Sequence, residues 1–161
     1  MNNDAAHRNP WEIAEVVFGV PWLIGVALHF IAPFAWPQGI LQRILLLVGI
    51  LLSITGFSVI VAARREFARY KQPTDPGQPT SQMVKTGIFS ISRNPLYLGS
   101  MLLLGGLGLA LRMPWTLLML LPSLLLCHFV LIAPEETYLA AKFGAEYRDY
   151  VATVRRWLGR P

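Results

Sequence analysis

The chain has 161 residues, 54% of them hydrophobic and only 14% charged, with a formal net charge of +5. Soluble domains carry roughly 25% charged residues, so this composition excludes an intrinsically disordered chain and argues against a water-soluble one. The length leaves room for one domain. The mean hydropathy is +0.47, and the basic residues flank apolar runs, which points to membrane topology instead of nucleic-acid binding.

The first fifteen residues contain Asp4, Glu12 and Glu15, and Arg8 as their only basic residue. They do not read as a signal peptide, which needs a basic n-region. A first apolar run covers residues 16–34, interrupted by Pro21 and His29; a second covers 44–63 without a charge. A span needs about 20 apolar residues, because the hydrocarbon core is roughly 30 Å thick and a helix rises about 1.5 Å per residue. Residues 64–71 extend the second helix, with Arg64 and Arg65 at headgroup level. Pro73, Pro76, Gly77 and Pro79 then make residues 72–80 extended or turn-like.

A short third run, 96–111, and a fourth, 115–133 with Pro122 inside, are separated only by Arg112, Met113 and Pro114. So short a connection predicts an antiparallel helical hairpin. Residues 135–158 are amphipathic, with Leu139, Phe143, Tyr147, Tyr150, Val154 and Trp157 at helical spacing and a break at Gly144. They are too polar to span and belong at the membrane surface. The expected fold is an all-α integral membrane protein: four transmembrane helices, the last two a hairpin, plus a cytoplasmic amphipathic C-terminal helix. Four spans place both termini and the middle loop on one side. That side carries twelve basic residues, and the other carries Arg43 and Arg112. The positive-inside rule makes the richer side cytoplasmic.

No carboxylate lies within the runs. Glu135 and Glu136 follow Pro134 where the fourth run ends. They suit the first turn of a helix, where carboxylates meet the positive end of the dipole. They also suit a polar cavity at the membrane surface, where one of the pair could act as a base. Asn94 and Pro95 form a good N-cap and first turn for the third helix. Gly99, Gly105, Gly106 and Gly108 point to close helix packing. His29 and His128 read more readily as hydrogen-bonded neutral side chains than as proton carriers. Cys127 reads as a small buried hydrophobe. As the only cysteine it excludes a disulfide framework, a CxxC pair and a cysteine-based zinc site. The histidines show no metal-ligand spacing.

Several of these residues recur together in a known pattern. Thr86-Gly87-Ile88-Phe89, then Arg93-Asn94-Pro95-Leu96-Tyr97-Leu98-Gly99, then the hairpin, Glu135-Glu136 and Phe143-Gly144-Ala145-Glu146-Tyr147-Arg148-Asp149-Tyr150 follow in order. The chain resembles the isoprenylcysteine carboxyl methyltransferase and phospholipid methyltransferase family of integral membrane enzymes over residues 81–157. The expected organisation is a single domain over 1–161, with two spans in 1–71, read from the apolar runs, and the cofactor loop that the resemblance implies, hairpin and C-terminal helix in 72–161. The resemblance implies methyl transfer from S-adenosylmethionine to a lipophilic small-molecule or lipid acceptor in the bilayer, with no nucleic-acid partner. The cofactor site would comprise Ser81, Gln82, Met83, Val84, Phe89, Asn94, Pro95, Leu96, Tyr97 and Glu135. A carboxylate and aromatic faces stabilise a sulfonium, and Glu136 is the expected base for a neutral acceptor.

Two positions depart from the family pattern. Asn94 stands where the family has His, which excludes a proton-carrying group there. Leu131 stands where the isoprenylcysteine enzymes have an Arg that reads the substrate carboxylate, so the acceptor stays open. Two rival readings exist. Membrane sterol and steroid reductases share a similar Arg-His-Pro-x-Tyr-x-Gly hairpin and bind NADPH. A non-enzymatic four-span scaffold would use the Asn-Pro and Glu-Glu pairs as helix caps only.

Overall fold

The computed structural model describes residues 13–72 and 81–160. Of the stretch expected to be extended, 72–80, residues 73–80 lie outside the described residues, as do Asp4, Arg8 and Glu12. Helix α1 spans Ala14–Ile31 and α2 spans Ile40–Arg69. A single 3-10 turn, Gly87–Ser90, precedes α3, Pro95–Ala110. Helix α4, Pro114–Leu126, passes through a π-helical turn, Cys127–Ile132, into α5, Ala133–Phe143. Helix α6, Ala145–Thr153, follows Gly144. Among the described residues no β-sheet forms; beyond α6, residues 154–160 run as an irregular C-terminal strand that belongs to no sheet.

The elements follow from local chemistry. Pro95 and Pro114 sit in the first turns of α3 and α4, where a missing N–H leaves nothing unsatisfied. Gly144 ends α5 at φ 54°, a left-handed conformation that glycine adopts without strain. The hairpin turn closes with Leu111 N donating to Leu107 O at 2.9 Å and Met113 N donating to Gly108 O at 2.8 Å. Trp115 Nε1 donates to Ala32 O at 2.6 Å and ties the start of α4 to the end of α1.

Three stretches are long and apolar enough to cross a membrane: Ala14–Ile31, Ile40–Arg69 and Pro114–Phe143. The shorter apolar helix Pro95–Ala110 has 16 residues, about 24 Å of helix. Three to four helices are thus able to span a membrane by length and composition. Their outer faces are apolar and uncovered: Phe30 is 75% exposed, Leu51 64% and Phe129 67%. Apolar surface on this scale needs lipid around it.

Helix packing depends on small residues. Gly49 and Gly56 on α2 face Gly106 and Gly99 on antiparallel α3, both pairs spaced by seven. A Cβ on Gly106 would lie 2.5 Å from Ser53 N and 2.6 Å from Gly49 O; one on Gly99 would lie 2.8 Å from Gly56 O. Ala63, one heptad further along α2, is fully buried. The two backbones touch directly, as small residues at heptad spacing allow. Gly25 on α1 fits against the Thr116 backbone, and Gly108 accommodates the Thr116 and Leu117 side chains. Gly105 is looser: its nearest neighbour is Leu120 Cδ1 at 3.2 Å.

Candidate functional site

Polar groups gather where the ends of α2, α3 and α5 meet α6 and the C-terminal strand. Tyr97, in the first turn of α3, donates its hydroxyl to Glu135 Oε2 at 3.1 Å. Next along α5, Glu136 meets two guanidiniums. Arg93 Nη1 lies 2.9 Å from Oε1. Arg156 makes a bidentate pair, Nε to Oε1 at 3.1 Å and Nη2 to Oε2 at 2.7 Å. Arg93 Nη1 also donates to the Tyr147 hydroxyl at 3.2 Å, and Arg156 Nη1 lies 3.3 Å from His128 Nδ1. Hydrogen bonding to Glu136 raises the pKa of Arg156 and locks its charge. Burial, then the Glu136 charge, raises that of Tyr147, while Arg93 works the other way.

The helix carrying the two glutamates does not begin at Pro134. It runs unbroken from Pro114 to Phe143 through the π turn. Proline in a helix interior lacks its N–H and crowds the carbonyl four residues back. The widened turn just before Pro134 accommodates both, and such turns are frequent at functional sites. Glu135 and Glu136 therefore do not cap a free helix end. The capping expected of Asn94 is also corrected. Asn94 occupies the N-cap position of α3 but makes no side-chain cap bond. Its Nδ2 donates instead to Arg156 O at 3.2 Å, because the C-terminal strand docks against this turn. Arg93 N donates to Arg155 O at 3.1 Å, and Gly159 N to Ile91 O at 2.8 Å.

The structure does not bring all the predicted site residues together. Tyr97 and Glu135 are in contact; Asn94, Pro95 and Leu96 lead into them, with Asn94 and Pro95 buried. Val84 and Phe89 are buried against Ala63 at the end of α2, with Leu96 packed on them, and the Phe89 ring lies 4.9 Å from that of Phe67. Met83 packs instead on Tyr147, Tyr150 and Val154. Ser81 and Gln82 are tied to the end of α2: Gln72 Nε2 donates to Ser81 Oγ at 2.7 Å, and Gln82 Nε2 to Tyr70 O at 2.9 Å. Glu136 is held by Arg93 and Arg156. A separate open cavity of about 500 Å³, lined by Lys85, Ser90, Thr153 and Arg160 among others, contains none of the predicted residues.

Arg156, Arg93, His128 and Tyr147 are the partners that sequence reasoning did not place in the site. Arg156 comes from a strand 20 residues beyond Glu136 and carries no motif signal. It also places a guanidinium within reach of His128, three residues before Leu131, where the sequence suggested no charged group. Glu66 was missed too. Its carboxylate accepts the Thr86 hydroxyl and lies where a Gly87 Cβ would be, at 2.9 Å. Gly87, at φ 58°, is required for backbone conformation, and a Cβ there would press the flexible Glu66 carboxylate aside.

A membrane-embedded helical hairpin with a charged cluster at one end defines a class of integral membrane proteins with a polar site at the bilayer surface. The phospholipid methyltransferase family model matches residues 44–146, and the chain belongs to that family of membrane methyltransferases. An uncharacterized protein of Haemophilus influenzae is 70% identical over 27 residues, 17% of this chain and 43% of that protein. The chain thus spans less than half the length of that curated relative. No solved structure matches the chain.

Proposed function

We propose that the protein transfers a methyl group from S-adenosylmethionine to a lipophilic acceptor that enters from the bilayer. The observation that supports this best is the Tyr97–Glu135 pair beside the Arg93–Glu136–Arg156 cluster. The donor set fits the cofactor. A carboxylate with an aromatic hydroxyl beside it suits a sulfonium cation, and Arg93 Nε, buried and without a partner among the described residues, suits an anionic oxygen. The sulfonium supplies an electrophilic methyl carbon. The chain's own residues supply position and charge: Glu135 stabilises the cation, Tyr97 orients Glu135, and the arginines hold acidic oxygens. Much of the acceleration in such an in-line displacement comes from alignment.

In this reading residues 1–161 act as one domain. Helices α1 and α2 brace the hairpin, and the loop of Ser81, Gln82, Met83 and Val84 covers the cofactor with Phe89. Asn94, Pro95 and Leu96 shape the floor. Glu136, expected as the base for a neutral acceptor, is also counter-ion to the two arginines; an acceptor atom that arrives already able to attack would need only the second role. The charge bias supports a cytoplasmic position for this end. Arg43 and Arg112, at the opposite ends of α2 and α3, are the exceptions that fit it.

The test is calorimetric titration of the detergent-purified protein with S-adenosylhomocysteine and, separately, NADPH. Saturable S-adenosylhomocysteine binding that is lost in a folded Glu135→Ala variant supports the reading. Binding of NADPH alone would replace it with the reductase reading, and binding of neither by a folded protein would sink both.

A further inference from the structure

The C-terminal strand lies beyond the family match, which ends at residue 146, yet it delivers Arg156 into the cluster. We propose that Arg156 is a positioning residue: by occupying both oxygens of Glu136 it keeps the Nε–H of Arg93 free to meet an anionic oxygen of the bound ligand. The proposal rests on the methyl-transfer reading of this site.

Glu136 is shared unequally. Arg156 takes it bidentately, at 3.1 and 2.7 Å. Arg93 reaches one oxygen through one nitrogen, Nη1, at 2.9 Å, and that nitrogen also serves Tyr147. A guanidinium beside a carboxylate ordinarily settles into two parallel N–H···O bonds. Arg93 does not, because the matching face of Glu136 is already taken. Its Nε is therefore enclosed and has no partner among the described residues. A buried donor in that condition costs free energy until something meets it, so it calls for an explanation. Glu136 is the only carboxylate paired with the two guanidiniums among the described residues, since the neighbouring Glu135 is bonded to Tyr97. The group that would satisfy the orphaned donor and pair with Arg93 is an anionic oxygen.

Arg156 can do this only if its main chain is fixed, and it is. The Arg156 carbonyl accepts from Asn94 Nδ2 at 3.2 Å and from Ser92 Oγ at 3.4 Å. The neighbouring Arg155 carbonyl accepts from Arg93 N at 3.1 Å. The segment bearing Arg93 thus holds the strand bearing Arg156, and the two guanidiniums are set relative to each other through the backbone. Removing the Arg156 guanidinium would let Arg93 swing its Nε edge onto Glu136, and the free donor would disappear.

The experiment uses full-length protein in detergent, labelled with ¹⁵N-arginine, with the Arg93 Nε–H resonance assigned by its loss in Arg93→Lys. In Arg156→Met the resonance should shift as Arg93 pairs with Glu136. S-adenosylhomocysteine should then bind about tenfold more weakly, the size of one hydrogen bond to a charged group. The double variant Arg156→Met/Glu136→Gln removes the competing carboxylate and should recover most of that affinity. A strand that merely stabilises the fold predicts no such recovery. An unmoved resonance in Arg156→Met, or a double variant no better than the single one, overturns the proposal. If the wild type binds no S-adenosylhomocysteine, the cofactor reading fails and the resonance alone decides the positioning role.

Discussion

Tyr97 and Glu135 come from helices 38 residues apart in sequence and meet at 3.1 Å, hydroxyl to carboxylate oxygen. The contact joins the first turn of α3 to the start of α5, so each half of the hairpin contributes one member. Tyr97→Phe removes the donor and keeps the ring. We expect it to fold normally and to weaken S-adenosylhomocysteine binding by about five- to tenfold, as loss of a hydrogen bond to a charged partner does. Glu135→Gln should weaken it more, because the compensating charge is lost as well. Calorimetric titration of both variants checks the order; a Tyr97→Phe variant worse than Glu135→Gln would reverse the assigned roles.

Packing of α2 on α3 gives a second prediction. A side chain at Gly106 would meet Ser53 N at 2.5 Å and Gly49 O at 2.6 Å, both backbone atoms that cannot move aside. Gly106→Leu should therefore cost several kcal/mol, about the scale of severe overpacking or more. Gly19→Ala, where no atom lies within 4 Å of the added carbon, should be neutral or slightly stabilising, as helix propensity favours alanine by about 1 kcal/mol. Detergent-titration unfolding of the two variants tests the contrast. Equal stability would mean that the helices do not touch as described.

The apolar runs, the hairpin and the break at Gly144 were legible because each depends on neighbours in sequence. Hydrophobic length, proline in a first turn and a left-handed glycine are local signals. What Asn94 does was not legible: its cap position was read correctly, but its side chain turns to a carbonyl 62 residues away. No local rule chooses between those two partners. The π turn at Cys127–Ile132 was equally hidden, since the sequence shows Pro134 but not how the preceding turn absorbs it. Arg156 escaped because a lone arginine in a polar tail resembles any solvated charge. Its role appears only when the strand folds back on residues 91–94.

Tyr150 offers a test by pH. Its hydroxyl donates to Phe89 O at 2.6 Å, and burial, the largest cause, pushes its pKa well above the ordinary value of 10.0, against a lowering by Arg93. The folded protein thus holds a proton that the unfolded chain releases. The stabilisation is fully present below about pH 10 and is lost as pH rises through the raised value. Thermal unfolding of the wild type should fall steeply above pH 10. Tyr150→Phe should lose about 1–2 kcal/mol at neutral pH, from the bond and the orphaned carbonyl, and show a shallower alkaline fall. An identical alkaline slope would assign the titration to another group.

The last prediction concerns the strand held by Asn94. Its Nδ2–H and the Ser92 hydroxyl converge on one carbonyl, that of Arg156. Two backbone bonds, Arg93 N to Arg155 O and Gly159 N to Ile91 O, complete the docking, and Arg155 N to Gly159 O folds the strand on itself. Asn94→Ala removes one of the two side-chain donors and should loosen the strand by about 1 kcal/mol while the helices stay intact. Opening of a segment this short is local, and its free energy lies below that of global unfolding. Limited trypsin digestion, read by mass spectrometry, should cut after Arg155 and Arg156 several-fold faster in Asn94→Ala than in the wild type. Cleavage elsewhere should not change. Asn94→Asp should behave like Asn94→Ala, because its carboxylate cannot donate to the carbonyl. Digestion of Asn94→Asp at the wild-type rate would show that the strand is held by something other than this bond.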